Sequence, residues 1–499
     1  MGTTTHGPVL VIGAGIMGAG IAQVAAQAGH DVMLHDAREG AAAAAKARLA
    51  TTLNGLAAKA KLTADAAAAT LQRIRPLASL DQAGDATLVV EAIVEDLEAK
   101  RALLRELEAI VGDDCILATN TSSISVTALA NGLRRPQRLV GMHFFNPVPL
   151  MKLVEVVSGL HTDPVVAQTV FELGAQWGKT PVHARSTPGF IVNRIARPFY
   201  AETLALLAER AAEPAVLDAC LRAAGFRMGP CELMDLIGHD TNFAVTQSVY
   251  DANFFDKRYV PSLVQRELVD GGLLGRKSGR GFYDHSDGAV PPRLADFEPI
   301  APPAAGHVVL HGRSAVGERL ADALATVGRE VQREPQSAWT GVEADALQMR
   351  LTDGRCATAL GERVAVFDRL PNSPDAGAPL AFAVSQRAPQ GTQAQAASWL
   401  RAAGFNPMPL RDVPGLVVAR TIAMLINEAS DAVHQGVCDA PGADAAMKLG
   451  VNYPAGPFEW LAQWDAAAVV QLLDALDAHY RGERYRASPA LRLGACEAV

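Results

Sequence analysis

His143 and Glu155 stand twelve residues apart in the stretch GMHFFNPVPLMKLVEVV at positions 141–157. An imidazole titrates near neutrality and can take the proton of a hydroxyl group. A carboxylate on the other ring nitrogen would fix the tautomer and favour the imidazolium that forms. Upstream, Asn120-Thr121-Ser122-Ser123 follows an expected strand at 115–119, at the end where open α/β sheets place ligands. A serine there could hold a substrate oxygen. These are parts for interconverting an alcohol and a ketone, a reaction that also needs a bound redox group. Each part has a plain reading as well. A lone histidine beside an apolar run is more often a satisfied structural residue, and an NTSS loop is more often a helix N-cap. Spacing alone does not bring the three together.

The redox group has a site in the first forty residues. Val9–Ile12 is a short apolar run, followed by Gly13, Gly15 and Gly18 with Ile16 and Met17 between them, then by an alanine-rich helical segment to Gly29. A second strand at 30–35 ends at Asp36, eighteen residues after Gly18. Strand, GxGxxG, helix and distal acid together form the dinucleotide fingerprint. Gly13 permits the turn, Gly15 admits the pyrophosphate to the helix N-terminus, and Gly18 lets helix and strand pack closely. Asp36 would accept hydrogen bonds from the adenosine ribose and repel a 2′-phosphate, which favours NAD over NADP. Residues 38–75 read as a helical hairpin rich in alanine. Further strands are expected at 87–93, 115–119 and 138–145. Lys59 and Lys61 on the hairpin are either a solvated face or a site for a phosphate-bearing substrate, and the sequence does not decide between them.

Positioning these groups takes several domains, and 499 residues imply two to four. Apolar residues make up 49% and charged residues 20%, the balance of a globular chain. A net charge of −8 gives no electrostatic reason to bind nucleic acid or an anionic membrane. No apolar run is long enough to span a bilayer, and no basic, apolar leader precedes the glycine motif. Six scattered cysteines without a CxxC speak against disulfides and zinc. A cytoplasmic location is expected.

With these segments in order, the chain resembles the L-3-hydroxyacyl-CoA dehydrogenases. The likeness runs from about Val9 to Asp284 through GAGIMGAGIAQVAAQAGHDVMLHD, VVEAIVEDLEAK, ATNTSS, GMHFFNPVPLMKLVEVV, TPGFIVNRI and GRKSGRGFYD. It implies a Rossmann-type NAD-binding domain followed by an all-α dehydrogenase domain. It also implies oxidation of an (S)-3-hydroxyacyl-CoA to the 3-ketoacyl-CoA, with NAD as cofactor and no metal. By the same resemblance His143 is the general base, Glu155 its partner, and Ser122 and Asn193 bond the 3-oxygen. Asp36, Glu95, Lys100 and Asn120 then line the NAD site with Gly13, Gly15, Ile16, Met17 and Gly18, and the hairpin with Lys59 and Lys61 is where CoA lies.

The chain continues past that likeness as a worn second copy. Residues 307–331 align without gaps on 8–32, with Gly312 on Gly13 and Gly317 on Gly18, but Ser314 on Gly15 and Pro335 on Asp36. Residues 414–420 (PGLVVAR) repeat 188–194 (PGFIVNR), Glu428 falls on Glu202, and Ala419 replaces Asn193. The expected domains are therefore an NAD-binding domain at 1–186 and a helical domain at 187–286. A linker at 287–306, a degenerate Rossmann-like domain at 307–411 and a second helical domain at 412–499 follow. Retained packing with lost chemistry points to a scaffold, with the second helical repeat packed on the first as an internal pseudo-dimer. Homo-oligomerisation of the whole chain stays open. The extra repeat resembles the branch of the family that serves phenylacetate catabolism. That branch implies 3-hydroxyadipyl-CoA as substrate, with 3-hydroxybutyryl-CoA as the alternative and a non-catalytic nucleotide-binding protein as the rival from another class.

Overall fold

The computed structural model describes residues 7–290, 294, 307–326, 328–370 and 375–497. Most of the linker expected at 287–306 lies outside them. The chain divides into two compact units, Met1–Arg194 with Ala432–Val451, and Ile195–Asp431 with Asn452–Val499. Among the described residues no helix is long and apolar enough to cross a membrane.

The first unit is built on an eight-stranded sheet. Its strands are β1 (Val9–Ile12), β2 (Val32–His35), β3 (Ile74–Pro76), β4 (Leu88–Glu91), β5 (Ile116–Thr119), β6 (Leu139–Phe144), β7 (Leu153–Ser158) and β8 (Thr180–Arg185). They lie in the order β3-β2-β1-β4-β5-β6-β7-β8. All neighbours are parallel except β6 and β7. Near-continuous apolar runs such as VLVI suit strands that are covered on both faces. Val9, Val11, Val32, Leu34, Val90 and Val140 are all in the core. The order reverses direction between β1 and β4, which opens a crevice at the carboxyl ends of the strands.

Helix α1 (Ile16–Gln27) leaves the glycine turn and buries Ala22, Ala25 and Ala26. Residues 38–75 fold into two antiparallel-reading helices, α2 (Ala41–Ala58) and α3 (Ala64–Arg73), with Thr63 capping the second through the Ala66 amide at 3.1 Å. Helix α4 (Leu97–Ile110) is capped by Asp96, which accepts from Ala99 at 2.8 Å. The helix Ala440–Gly450 also packs against β7 and β8. Sequence alignment places that helix in the second helical repeat, so Ala432–Val451 joins the first unit by tertiary contact.

The second unit holds a reduced sheet in the order β10-β9-β11-β12-β13-β14-β15. The strands are β9 (Val308–His311), β10 (Val331–Glu334), β11 (Gly341–Ala344), β12 (Leu347–Leu351), β13 (Val364–Phe367), β14 (Pro379–Val384) and β15 (Asn406–Pro409). Only the opening parallel β9–β10 pair keeps the dinucleotide pattern, since β11 runs antiparallel to β9. Ser314 turns its hydroxyl onto the Gly317 amide at 3.0 Å and caps its own helix. One of the open amides in the first turn of that helix is thus already satisfied, and the position of Asp36 is a proline.

The two helical repeats pack on each other inside this unit through a reciprocal exchange. Glu428 of the second repeat accepts from Arg258 at 3.1 Å and Tyr259 at 2.5 Å of the first. Glu202 of the first accepts from Arg484 at 2.8 Å and Tyr485 at 3.0 Å of the second. Glu202 and Glu428, Arg258 and Arg484, and Tyr259 and Tyr485 are each 226 residues apart. The same patch faces itself, as across a two-fold dimer axis, but within one chain.

Candidate active site

His143 and Glu155 are directly opposite each other in the antiparallel β6–β7 register. Opposed residues on one face of such a pair put their side chains together, and Glu155 Oε2 meets His143 Nδ1 at 2.5 Å. Glu155 is fully buried. Its other oxygen accepts the amides of Ile191 at 3.1 Å and Val192 at 3.0 Å, at the start of the short helix Val192–Ile195. The carboxylate therefore fixes the ring and that helix together. Phe145 and Phe190 stand against the imidazole, with centroids 4.5 and 5.9 Å away. With Nδ1 committed to Glu155, Nε2 is the nitrogen left to exchange a proton.

Ser122 and Asn193 come together although 71 positions separate them. The Asn193 amide donates to the Ser122 carbonyl at 3.4 Å. Glu95 shapes the serine loop by accepting the Thr121 hydroxyl at 2.7 Å and the Ser122 and Ser123 amides at 2.8 and 3.1 Å. Burial pushes the Glu95 carboxyl up, but the Thr121 hydroxyl, the Lys100 charge and the loop amides outweigh it and hold it below its ordinary value. Asn120 accepts the Phe144 amide at 2.8 Å and so ties the loop to β6 beside His143.

Lys100 is buried, with Glu91 at 2.6 Å and Glu95 at 3.3 Å. Its ammonium acts on the site through those two carboxylates. Glu91, which the sequence reading did not single out, ends β4 fully buried and also accepts from Thr119 at 2.6 Å and Ile93 at 2.7 Å. A lone acid closing the run LVVE was the available signal. Lys59 and Lys61 lie exposed on the turn between α2 and α3. No bond of theirs to the other predicted residues is found among the described residues.

The dinucleotide turn fits its cofactor in three respects. No side chain caps α1, leaving its first amides open to an anion. A Cβ built on Gly15 would meet nothing within 4 Å, whereas one on Gly18 would lie 1.7 Å from the Gly13 carbonyl oxygen. Gly15 thus keeps space for a ligand, and Gly18 keeps helix and turn in contact. Asp36 stands beyond the turn, accepting the Ala14 amide at 2.8 Å. The Arg38 guanidinium beside it, at 3.0 Å, holds its carboxyl well below the usual carboxylate range.

A doubly wound sheet with this turn, and a buried His–Glu pair on neighbouring strands, define a nicotinamide-dependent dehydrogenase. Known proteins narrow the class. Residues 8–187 match the family model described as 3-hydroxyacyl-CoA dehydrogenase, NAD binding domain, and residues 189–285 and 415–494 match the C-terminal domain of the same family. Residues 349–414 match the 3-hydroxybutyryl-CoA dehydrogenase reduced Rossmann-fold domain. The 3-hydroxyadipyl-CoA dehydrogenase of Escherichia coli K12 is 43% identical over 97% of this chain and 96% of its own length. A probable 3-hydroxybutyryl-CoA dehydrogenase of Deinococcus radiodurans is 45% identical over 55% of this chain and 99% of its own. The crystal structure of 3-hydroxybutyryl-CoA dehydrogenase from Escherichia coli K12 superposes with a TM-score of 0.89 at 41% identity, covering 98% of each chain. The chain belongs to the 3-hydroxyacyl-CoA dehydrogenase family, in its long form with a duplicated C-terminal domain, and is an NAD-dependent 3-hydroxyacyl-CoA dehydrogenase.

Proposed function

We propose that this dehydrogenase oxidises 3-hydroxyadipyl-CoA to the 3-keto thioester, with His143 as general base oriented by Glu155. The observation that carries the catalytic part is the 2.5 Å bond from Glu155 to His143 Nδ1 inside a buried strand pair. Bound NAD supplies the hydride acceptor. His143 Nε2 takes the hydroxyl proton as the alcohol carbon becomes a carbonyl, and Glu155 stabilises the imidazolium. Ser122 and Asn193 hold the 3-oxygen at the mouth of the loop that Glu95 and Lys100 order. Gly13, Gly15, Ile16, Met17 and Gly18 cradle the pyrophosphate, Asp36 holds the adenosine ribose, and Asn120 with Glu95 borders the cofactor. Lys59 and Lys61 meet the phosphates of CoA in the exposed turn.

The preference for the adipyl chain is supported by the full-length likeness to the Escherichia coli 3-hydroxyadipyl-CoA enzyme, which shares both halves of this chain. The name of the similar solved structure favours a second reading, 3-hydroxybutyryl-CoA. Steady-state kinetics on the two thioesters separates them. The adipyl reading expects the higher kcat/KM for 3-hydroxyadipyl-CoA, and the reverse order would sink it. Absence of NADH formation from any 3-hydroxyacyl-CoA would instead leave a nucleotide-binding protein without turnover.

A further inference from the structure

The acid at the adenosine end of the dinucleotide site is already fully occupied. Asp36 follows β2 with its side chain only 9% exposed, and four donors meet its two oxygens. Oδ1 accepts the Arg38 amide at 2.9 Å and Arg38 Nε at 3.0 Å. Oδ2 accepts the Ala14 amide at 2.8 Å and Arg38 Nη2 at 3.1 Å. A carboxylate offers about four lone-pair sites, so none is left for the hydroxyls of a ribose. Two of the donors are backbone groups held by the chain around them. The guanidinium is the group that can leave.

Arg38 has a side chain 75% exposed, and ion pairs in such positions are weak and easily exchanged. A ribose that takes over the two acceptors displaces the guanidinium without sending it far, because the Arg38 amide stays bonded to Asp36. A second guanidinium reaches the same corner. Arg48, on α2, donates from Nη2 to the Ala14 carbonyl at 3.4 Å, and the amide of that same Ala14 is one of the Asp36 donors. Along residues 36–48, Asp36 and Glu39 stand against Arg38, Lys46 and Arg48, so the segment is net positive.

A phosphate on the ribose 2′-oxygen brings close to two negative charges to this corner. Against Asp36 alone it is repelled, which is the ground on which the sequence favours NAD. Against Asp36 flanked by Arg38 and Arg48 it meets more positive charge than negative. Arginine also matches phosphate through paired N–H groups, and an arginine near this acid is a known way to accommodate a 2′-phosphate. With plain NAD the displaced guanidinium loses its anion and gains none. With a 2′-phosphate it exchanges one anion for another.

We propose that Arg38 and Arg48 make the ribose edge of the dinucleotide site a 2′-phosphate subsite, so that the enzyme binds and uses NADP as well as NAD. Arg38 pairs with Asp36 until a dinucleotide arrives and then turns to the 2′-phosphate. All the residues involved belong to the first unit, and nothing in the claim depends on which acyl chain is preferred.

Binding and turnover on the full-length enzyme test the subsite together. Fluorescence titrations give the Kd of NADPH and of NADH, and kcat/KM is taken with NADP and with NAD on whichever 3-hydroxyacyl-CoA is turned over faster. Wild type should bind NADPH within about thirtyfold of NADH. Salt then reads the sign of the local field without any variant. Where the guanidinium groups dominate, raising the ionic strength weakens NADPH relative to NADH by about threefold or more. Where Asp36 dominates, screening strengthens NADPH relative to NADH, and that response overturns the proposal. Arg38→Ala changes an exposed side chain and should raise the NADPH-to-NADH Kd ratio at least about tenfold, with the kcat/KM ratio shifting to match. Arg48→Ala should shift both the same way by about threefold. No measurable NADPH binding in wild type, or an unchanged Kd ratio in Arg38→Ala, means that the arginine only covers the carboxylate and sinks the subsite.

Discussion

Glu155 divides its two oxygens between tasks that a single substitution can separate. Oε1 holds the Ile191 and Val192 amides, and Oε2 holds the histidine. In Glu155→Gln the amide oxygen can still accept the backbone donors, but the NH₂ faces Nδ1 and donates to it. The ring proton is then forced onto Nε2, the atom that must accept the substrate proton. A kcat loss of about 10²–10⁴ is expected, with NAD affinity retained; stopped-flow NADH formation and a fluorescence titration measure the two. The glycines separate binding from folding in the same way. Gly15→Ala adds its methyl to open space, so its thermal midpoint should hold while the NAD Kd rises about tenfold or more. Gly18→Ala drives a Cβ to within 1.7 Å of a carbonyl oxygen and should lose the folded first unit, seen as a collapsed or absent thermal transition.

At the scale of elements, strands and glycine turns were legible because their signals are local. Expected strands at 87–93, 115–119 and 138–145 contain β4, β5 and β6. The pairing of His143 with Glu155 was not legible from spacing, because twelve residues say nothing about where a hairpin turns; the β6–β7 register decides it. Lys179 was missed for a related reason, since its partners lie about thirty positions away. From the head of β8 its ammonium donates to the carbonyls of Val148 and Met151, in the segment joining β6 to β7. Burial, with help from Lys152, pushes Lys179 down to about 8. The folded state therefore binds fewer protons than the unfolded chain between about pH 8 and the ordinary lysine value of about 10.4. Stability linked to this group is lowest below pH 8 and rises as the pH climbs through that window. Comparison with Lys179→Met cancels the titrations common to both proteins. Wild type should gain about 2–4 °C on the variant between pH 7.5 and 10 in calorimetry, and a gap that closes instead would contradict the linkage.

At the scale of the whole molecule, the duplicated helical domain packs on the first, and the exchange at Glu202 and Glu428 is where the two repeats meet. The repeated Arg-Tyr pairs at 258–259 and 484–485 stand in plain view in the sequence, yet only the folded unit shows each pair reaching the other repeat's glutamate. Burial pushes the Glu202 carboxyl up, but Arg484 and Arg420 outweigh it and leave it below its ordinary value. A depressed carboxyl contributes its stability above the unfolded value, about 4.3, and loses it as the pH falls through the folded one. Acid should therefore loosen the second unit at the contact between repeats. Glu202→Gln removes the titrating group but leaves Arg420 and Arg484 buried without its charge, at a cost of about 3–5 kcal/mol at neutral pH. The variant should start lower and fall less, so that its unfolding free energy approaches that of wild type between pH 5 and 3. Urea melts at pH 7, 5, 4 and 3 measure this directly, and parallel pH curves would mean that the Glu202 cluster does not govern the acid response of the duplicated half.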